Sequence, residues 1–240
     1  MFKGGVKLFD FKSLSKDENI EEFKYPEKVI IPLSQHTGIP AKPIVKKGDY
    51  VLEGQIIGEI AGFISSYIHS SVSGKVIDIL PWNLPTNRKS LSIVIESDGE
   101  RKSIEKKQRD WLKLESNEII NIVREAGIVG LGGAAFPTHV KLTIPEGKRV
   151  DFLLINGCEC EPFLTCDYRV LKEFTDEVIE GIQIIAKAVN VKNVFLGIES
   201  NKIDLLPILK NSLKNLKIFL NIEIKVLPEK YPQGSEKHLI

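Results

Sequence analysis

From Val29 to about Ile95 the chain alternates short Ile/Val-rich runs with Gly, Pro, Ser and Asp, the rhythm of short strands joined by tight turns. Gly-Asp and Glu-Gly pairs punctuate Pro43–Ile60, and Ile68–Ile79 repeats a strand–Gly–strand order. Beyond residue 116 the period lengthens. In Ser116–Ala126, Ile119, Ile122, Val123 and Ala126 fall at helical spacing, with Ser116 placed to cap the start and Gly127 to end it. Arg149–Ile155 is a nearly continuous apolar run, as expected of a strand covered on both faces. Leu171, Phe174, Val178, Ile182, Ile185, Ala186 and Val189 predict a helix from Tyr168 to about Asn190. Val194–Ile198 reads as a second strand and Asn201–Leu216 as a second helix, with Pro207 in its first turns or at a kink. Ile218–Val226 closes the set. Strand–helix–strand–helix–strand predicts a parallel α/β sheet with right-handed crossovers, whose ligands gather beyond the carboxyl ends of the strands.

The remaining stretches divide the chain. Residues 1–30 carry no period and read as an irregular lead-in, while residues 96–115 are dense in charge and read as solvated linker. The expected division is therefore 1–100 (β-rich), 101–115 (linker) and 116–240 (α/β). With 42% hydrophobic and 27% charged residues among 240, the composition is that of an ordinary globular protein. Lysine and arginine (33) balance aspartate and glutamate (32), which argues against a nucleic-acid binder. No run of 18 apolar residues offers a transmembrane helix, and M-F-K-G-G-V-K-L-F-D is no secretory leader. Three cysteines, at 158, 160 and 166, make no disulfide framework, so a reducing, cytoplasmic setting is expected. Y-P-Q-G-S-E-K-H-L-I ends the chain like an interruption, the mark of a fragment.

Two stretches carry the chemistry. Gly127, Gly130, Gly132 and Gly133 lie within seven residues and are followed by Phe136-Pro137 and Lys141. A loop without Cβ atoms can turn its amides toward an anion, with an aromatic face and a positive charge beside it. A nucleotide suits such a loop, but so does a plain tight turn, and a helix rather than a strand precedes it, unlike the Rossmann fingerprint. The second stretch, Asn156-Gly-Cys-Glu-Cys-Glu-Pro162, gathers two carboxylates, two thiols and an amide at the end of the first parallel strand. Cys158, Cys160 and Cys166 either pack as small residues or, with His139, hold zinc; their spacing does not suit an iron–sulfur cluster. His36 is expected to stabilise a turn, and Trp82 and Trp111 to anchor packing.

Together these motifs are specific. G-I-V-G-L-G-G-A-A-F-P-T-H-V-K-L resembles the flavin loop of the NADH-binding subunit of respiratory complex I, I-N-G-C-E-C-E-P-F-L-T-C-D its acidic second motif, and Y-P-Q-G-S-E its third. The β-rich front resembles biotinyl/lipoyl-type barrel-sandwich hybrid domains, but Ala61–Tyr67, where a carrier lysine would stand, contains none, which removes the carrier role. The combination is similar to the C subunit family of Rnf ion-translocating ferredoxin:NAD oxidoreductase complexes. That resemblance implies a Rossmann-like parallel sheet of the complex I FMN-binding type behind a barrel-sandwich hybrid. It implies FMN held by Gly130, Gly132, Gly133, Lys141, Asn156, Glu159, Gly234 and Glu236, and NAD(H) met by Phe136 and Glu161. No residue need act as a general base. It further implies 4Fe–4S clusters in a following region, other members of the complex and, indirectly, ferredoxin as partners, and a peripheral place on the cytoplasmic side of the membrane. Leu131, Cys158 and Cys166 stand where complex I carries charged residues, which weakens or retunes the binding. A cobalamin reductase of the same superfamily and a non-catalytic docking module are the alternatives.

Overall fold

The computed structural model describes residues 4–217 and 219–240. By contact the chain forms two units, Phe23–Thr143 in one and Met1–Glu22 with Ile144–Ile240 in the other. This differs from the division read from the sequence. The lead-in belongs to the α/β unit, and the helix at 116 with its glycine loop belongs to the β-rich unit. Contacts between residues far apart in sequence decide this, and no local pattern records them.

In the β-rich unit, β1 (Lys28–Pro32), β2 (Lys42–Pro43), β3 (Tyr50–Val51), β4 (Ile56–Glu59), β5 (Ile68–His69), β6 (Gly74–Asn83) and β7 (Lys89–Ser97) form two antiparallel sheets, ordered β1-β7-β6-β3 and β2-β4-β5. Inward-facing Ile31, Leu33, Val51, Ile57, Val76, Ile93 and Ile95 make their common core. Gly48 and Gly54 take positive φ at the two predicted turns. Trp82, expected as a packing anchor, is exposed on β6 instead. Helix α1 (Ser116–Glu125) follows. Its cap is Glu115, not Ser116: the Glu115 carboxylate accepts from the Glu118 amide while the Glu118 carboxylate accepts from the Glu115 amide at 2.7 Å, a reciprocal capping box. The short helix α2 (Thr138–Leu142) ends the unit.

The α/β unit is built on β8 (Phe152–Gly157), β9 (Asn193–Glu199) and β10 (Asn221–Leu227), parallel throughout and ordered β10-β9-β8. Ile218, the first residue of the third predicted strand, lies outside the described residues. Central β9 is the buried strand. Edge strand β8 alternates, with Phe152 and Leu154 exposed, so it is not covered on both faces as its apolar run suggested. The helix expected over 168–190 is two, α3 (Cys166–Glu173) and α4 (Thr175–Ala188), broken at Phe174. The next begins as a 3-10 turn and continues as α5 (Leu206–Asn215), with Pro207 in its first turn. Helix α6 (Glu236–Leu239) closes the described chain. Tyr168, Leu171, Ile179, Ile182, Leu196, Ile198, Leu205 and Leu209 form the core between helices and sheet.

Candidate functional site

The residues singled out in the sequence fall into two groups, one in each unit. In the β-rich unit the glycine loop is braced from below. Gly127 adopts φ +64°, and a Cβ there would meet Tyr67 O at 2.5 Å and the His69 ring at 2.9 Å, so only glycine fits where α1 meets β5. His69 donates from Nε2 to Glu125 O at 2.9 Å, and burial pulls its pKa below the usual imidazole value. Thr37 anchors the far side: its amide donates to Ala135 O at 3.0 Å and its hydroxyl to Ala134 O. The Gly130 amide donates to Phe136 O at 2.9 Å, closing the loop at its neck. Beyond that neck the tip is open. Leu131 is 93% exposed, a Cβ at Gly132 or Gly133 would meet nothing within 4 Å, and Gly133 takes φ +110°. Phe136 is half-buried, Lys141 is exposed and His139 is buried.

In the α/β unit the second and third motifs meet. Asn156, at the end of β8, donates from Nδ2 to Gly234 O at 2.7 Å and accepts at Oδ1 from the Cys158 amide at 3.1 Å. A Cβ on Gly234 would lie 3.0 Å from Cys158 O, so the two segments touch backbone to backbone. Glu161 and Glu236 are exposed. Glu159 turns the other way. It is 2% exposed, accepts at Oε1 from the Asp167 amide (2.8 Å) and Cys166 Sγ (3.3 Å), and pairs through Oε2 with Lys12 Nζ at 3.9 Å. Lys12, from the supposed lead-in, also donates to the carbonyls of Glu161 (3.0 Å) and Leu164 (2.5 Å). A buried ammonium thus fastens the acidic turn from beneath, and nothing in F-D-F-K-S-L marks that lysine in advance.

The cysteines are not a zinc trio with His139. Among the described residues the metal-compatible cluster is Glu159, Cys166 and Asp167, and it includes neither Cys158 nor Cys160. Burial, reinforced by the Glu199 charge, pushes the Cys158 thiol up to about 12, and burial also raises Cys160 and Cys166. Protonated thiols are poor ligands and poor nucleophiles, so packing explains Cys158. Burial and the Glu159 charge raise the Asp167 carboxyl as well.

Beyond the carboxyl ends of β8, β9 and β10 lies a polar hollow, reached by residues near 159, 199–201 and 229–231 and by Asp10 and Lys12 of the N-terminal segment. It is partly open to solvent and leaves about 10 Å³ for a water-sized guest. Glu199 in its wall is fully buried, with Oε2 bound to Lys202 Nζ at 2.9 Å and to the Glu159 amide at 3.0 Å.

Residues 1–100 match the RnfC barrel sandwich hybrid domain, and residues 123–240 match the Nuo51 FMN-binding domain of complex I. Over its full length the chain is 46% identical to the C subunit of the proton-translocating ferredoxin:NAD(+) oxidoreductase complex of Clostridium ljungdahlii, covering 52% of that protein. The chain belongs to the RnfC family. It is 43% identical to the C subunit of the Na(+)-translocating ferredoxin:NAD(+) oxidoreductase complex of Acetobacterium woodii, with 100% of this chain and 54% of that protein aligned. It therefore spans about half the length of these RnfC relatives. An NAD+-reducing NiFe-hydrogenase structure aligns with 52% of this chain and 23% of its own, at 25% identity and TM-score 0.48. Within the RnfC family the fold is the expected one, a barrel-sandwich hybrid followed by a complex I-type FMN domain. Among the described residues no helix is long and apolar enough to cross a membrane.

Proposed function

We propose that this chain binds FMN and NAD(H) within a larger polypeptide that passes electrons between NAD(H) and iron–sulfur centres in a membrane-associated, ion-translocating ferredoxin:NAD+ oxidoreductase. The observation that carries this reading is the open glycine tip in a segment matching the Nuo51 FMN-binding domain: Gly132 and Gly133 leave clear the volume that side chains would fill. Such bare backbone fits a flat, phosphate-bearing ring. In this reading Gly130, Gly132 and Gly133 line FMN and Lys141 meets its phosphate or polar edge. Asn156, Gly234 and Glu236 of the α/β unit are the further candidates for holding the flavin. Phe136 stacks against the dinucleotide and Glu161 hydrogen-bonds near its nicotinamide or ribose.

Glu159 takes a different part from that implied by the motif. Held by Lys12 and the Asp167 amide, it fixes the turn that carries Asn156 and Glu161 and need not touch the ring. Flavin held there would supply the redox chemistry, two-electron exchange with NADH and one-electron exchange with iron–sulfur centres. The protein's own part is to stack the rings and hold them in register. In this reading the iron–sulfur acceptors, ferredoxin and the other members of the complex lie outside these 240 residues, and the site faces the cytoplasm.

A flavin titration tests this. The protein should quench FMN fluorescence, and Gly132→Val should weaken binding by about tenfold or more, ~1.4 kcal/mol. Its thermal midpoint should change little, because a Cβ at this exposed position meets no protein atom within 4 Å. A colourless protein that ignores added FMN would leave the docking module as the reading.

A further inference from the structure

The hollow at the carboxyl ends of β8, β9 and β10 contains buried oxygen atoms that nothing in the fold satisfies. Glu199 is 0% exposed, and while its Oε2 holds Lys202 and the Glu159 amide, Oε1 has no hydrogen-bond partner. Glu159 Oε2 also lacks one, because Lys12 directs hydrogen bonds to the Glu161 and Leu164 carbonyls and reaches this oxygen only as a charge 3.9 Å away. Both amide atoms of Asn201 are buried and unpartnered as well. All three residues line the same small space. A buried acceptor without a donor is destabilising, more so when charged, so such atoms mark a missing partner.

We propose that this hollow binds a single monovalent alkali cation, ligated by Glu159 Oε2, Glu199 Oε1 and Asn201 Oδ1. Size sets the first limit, since the space takes one water-sized guest. Charge sets the second. Asp10, Glu159, Glu199 and Glu229 bring four carboxylates to the hollow, against three ammonium groups from Lys12, Lys230 and the Glu199 partner Lys202. The excess is negative, which favours a cation over a neutral water, while the ammonium groups already paired with Glu159 and Glu199 disfavour a divalent charge beside them. Donor chemistry sets the third limit. The free atoms are hard oxygens, which select alkali and alkaline-earth ions over zinc or copper. Cys160, also in the wall, offers only a soft sulfur, a poor ligand for a hard alkali ion.

This site requires no flavin, so it stands or falls separately from the redox reading. The test is thermal unfolding of the flavin-free chain at constant ionic strength in sodium, potassium or choline chloride. At least one alkali salt should raise the midpoint over choline, saturably and by about 2–4 °C, the shift expected when a site fills in a chain of this size. Asn201→Ala, whose side chain has no hydrogen bond to lose, should abolish the rise, as should Glu199→Gln. If Glu199→Gln does not fold, Asn201→Ala alone decides. Equal midpoints in all three salts would overturn the proposal, as would an undiminished rise in Asn201→Ala. A larger effect of magnesium or calcium than of either alkali ion would overturn the monovalent assignment.

Discussion

At the scale of single residues, two histidines make the β-rich unit sensitive to acid. Burial lowers the pKa of His69 against the opposing pull of its bond to Glu125, and burial with the nearby Arg124 charge lowers that of His139. An imidazole whose folded value lies below its ordinary 6.5 is protonated more readily in the unfolded chain. The Phe23–Thr143 unit should therefore be fully stable above 6.5 and lose stability as pH falls through 6.5 toward the folded values. Urea midpoints at neutral and mildly acid pH will show this, and His69→Gln should flatten the slope without abolishing it, because His139 remains. Legibility at this scale was uneven. The contact of Asn156 with Gly234 joins two stretches already marked by their residue types. Lys12, Thr37, Glu199 and Asn201 have no local signature, because each acquires its role only where segments far apart in the chain come together.

At the scale of elements, the sequence pattern located strands and helices better than their ends. Helical spacing runs unbroken through 171–189, since α3 and α4 bury their apolar faces in one core, and the break at Phe174 leaves no trace in the period. Two-residue strands such as β2, β3 and β5 are too short for alternation to define. The junction of α1 with the glycine loop was legible because its glycine is obligatory. Gly127→Ala would place a methyl 2.5 Å from Tyr67 O at φ +64°. Left-handed backbone alone disfavours alanine by about 1 kcal/mol, and the clash adds to that. The variant should lower the urea midpoint and, by moving the loop, weaken FMN binding. Normal stability with normal binding would show that the junction does not position the loop.

At the scale of the whole molecule, the α/β unit is assembled from both ends of the chain. Residues 10–20 are tied to the unit by Lys12, by the Ser15–Thr165 hydroxyl contact at 2.9 Å, and by buried Arg169, which reaches Lys16 O at 3.1 Å and Asn19 Oδ1. Phe11 stacks on Phe163, centroids 4.9 Å apart. Lys12→Met strands the Glu159 carboxylate in a buried site and should destabilise this unit by about 3 kcal/mol, the lower end for a broken buried pair given its 3.9 Å separation. Denaturant unfolding followed by fluorescence will measure it, and a loss under about 1 kcal/mol would mean that water replaces the lysine. The same arrangement orders events on the ribosome. The first 22 residues emerge before anything they can dock against, and Phe23–Thr143 has all its own contacts as soon as it clears the exit tunnel. The leading segment must wait, unpaired, until residues 144–240 have been made, so completion of the α/β unit is timed by synthesis of its later part.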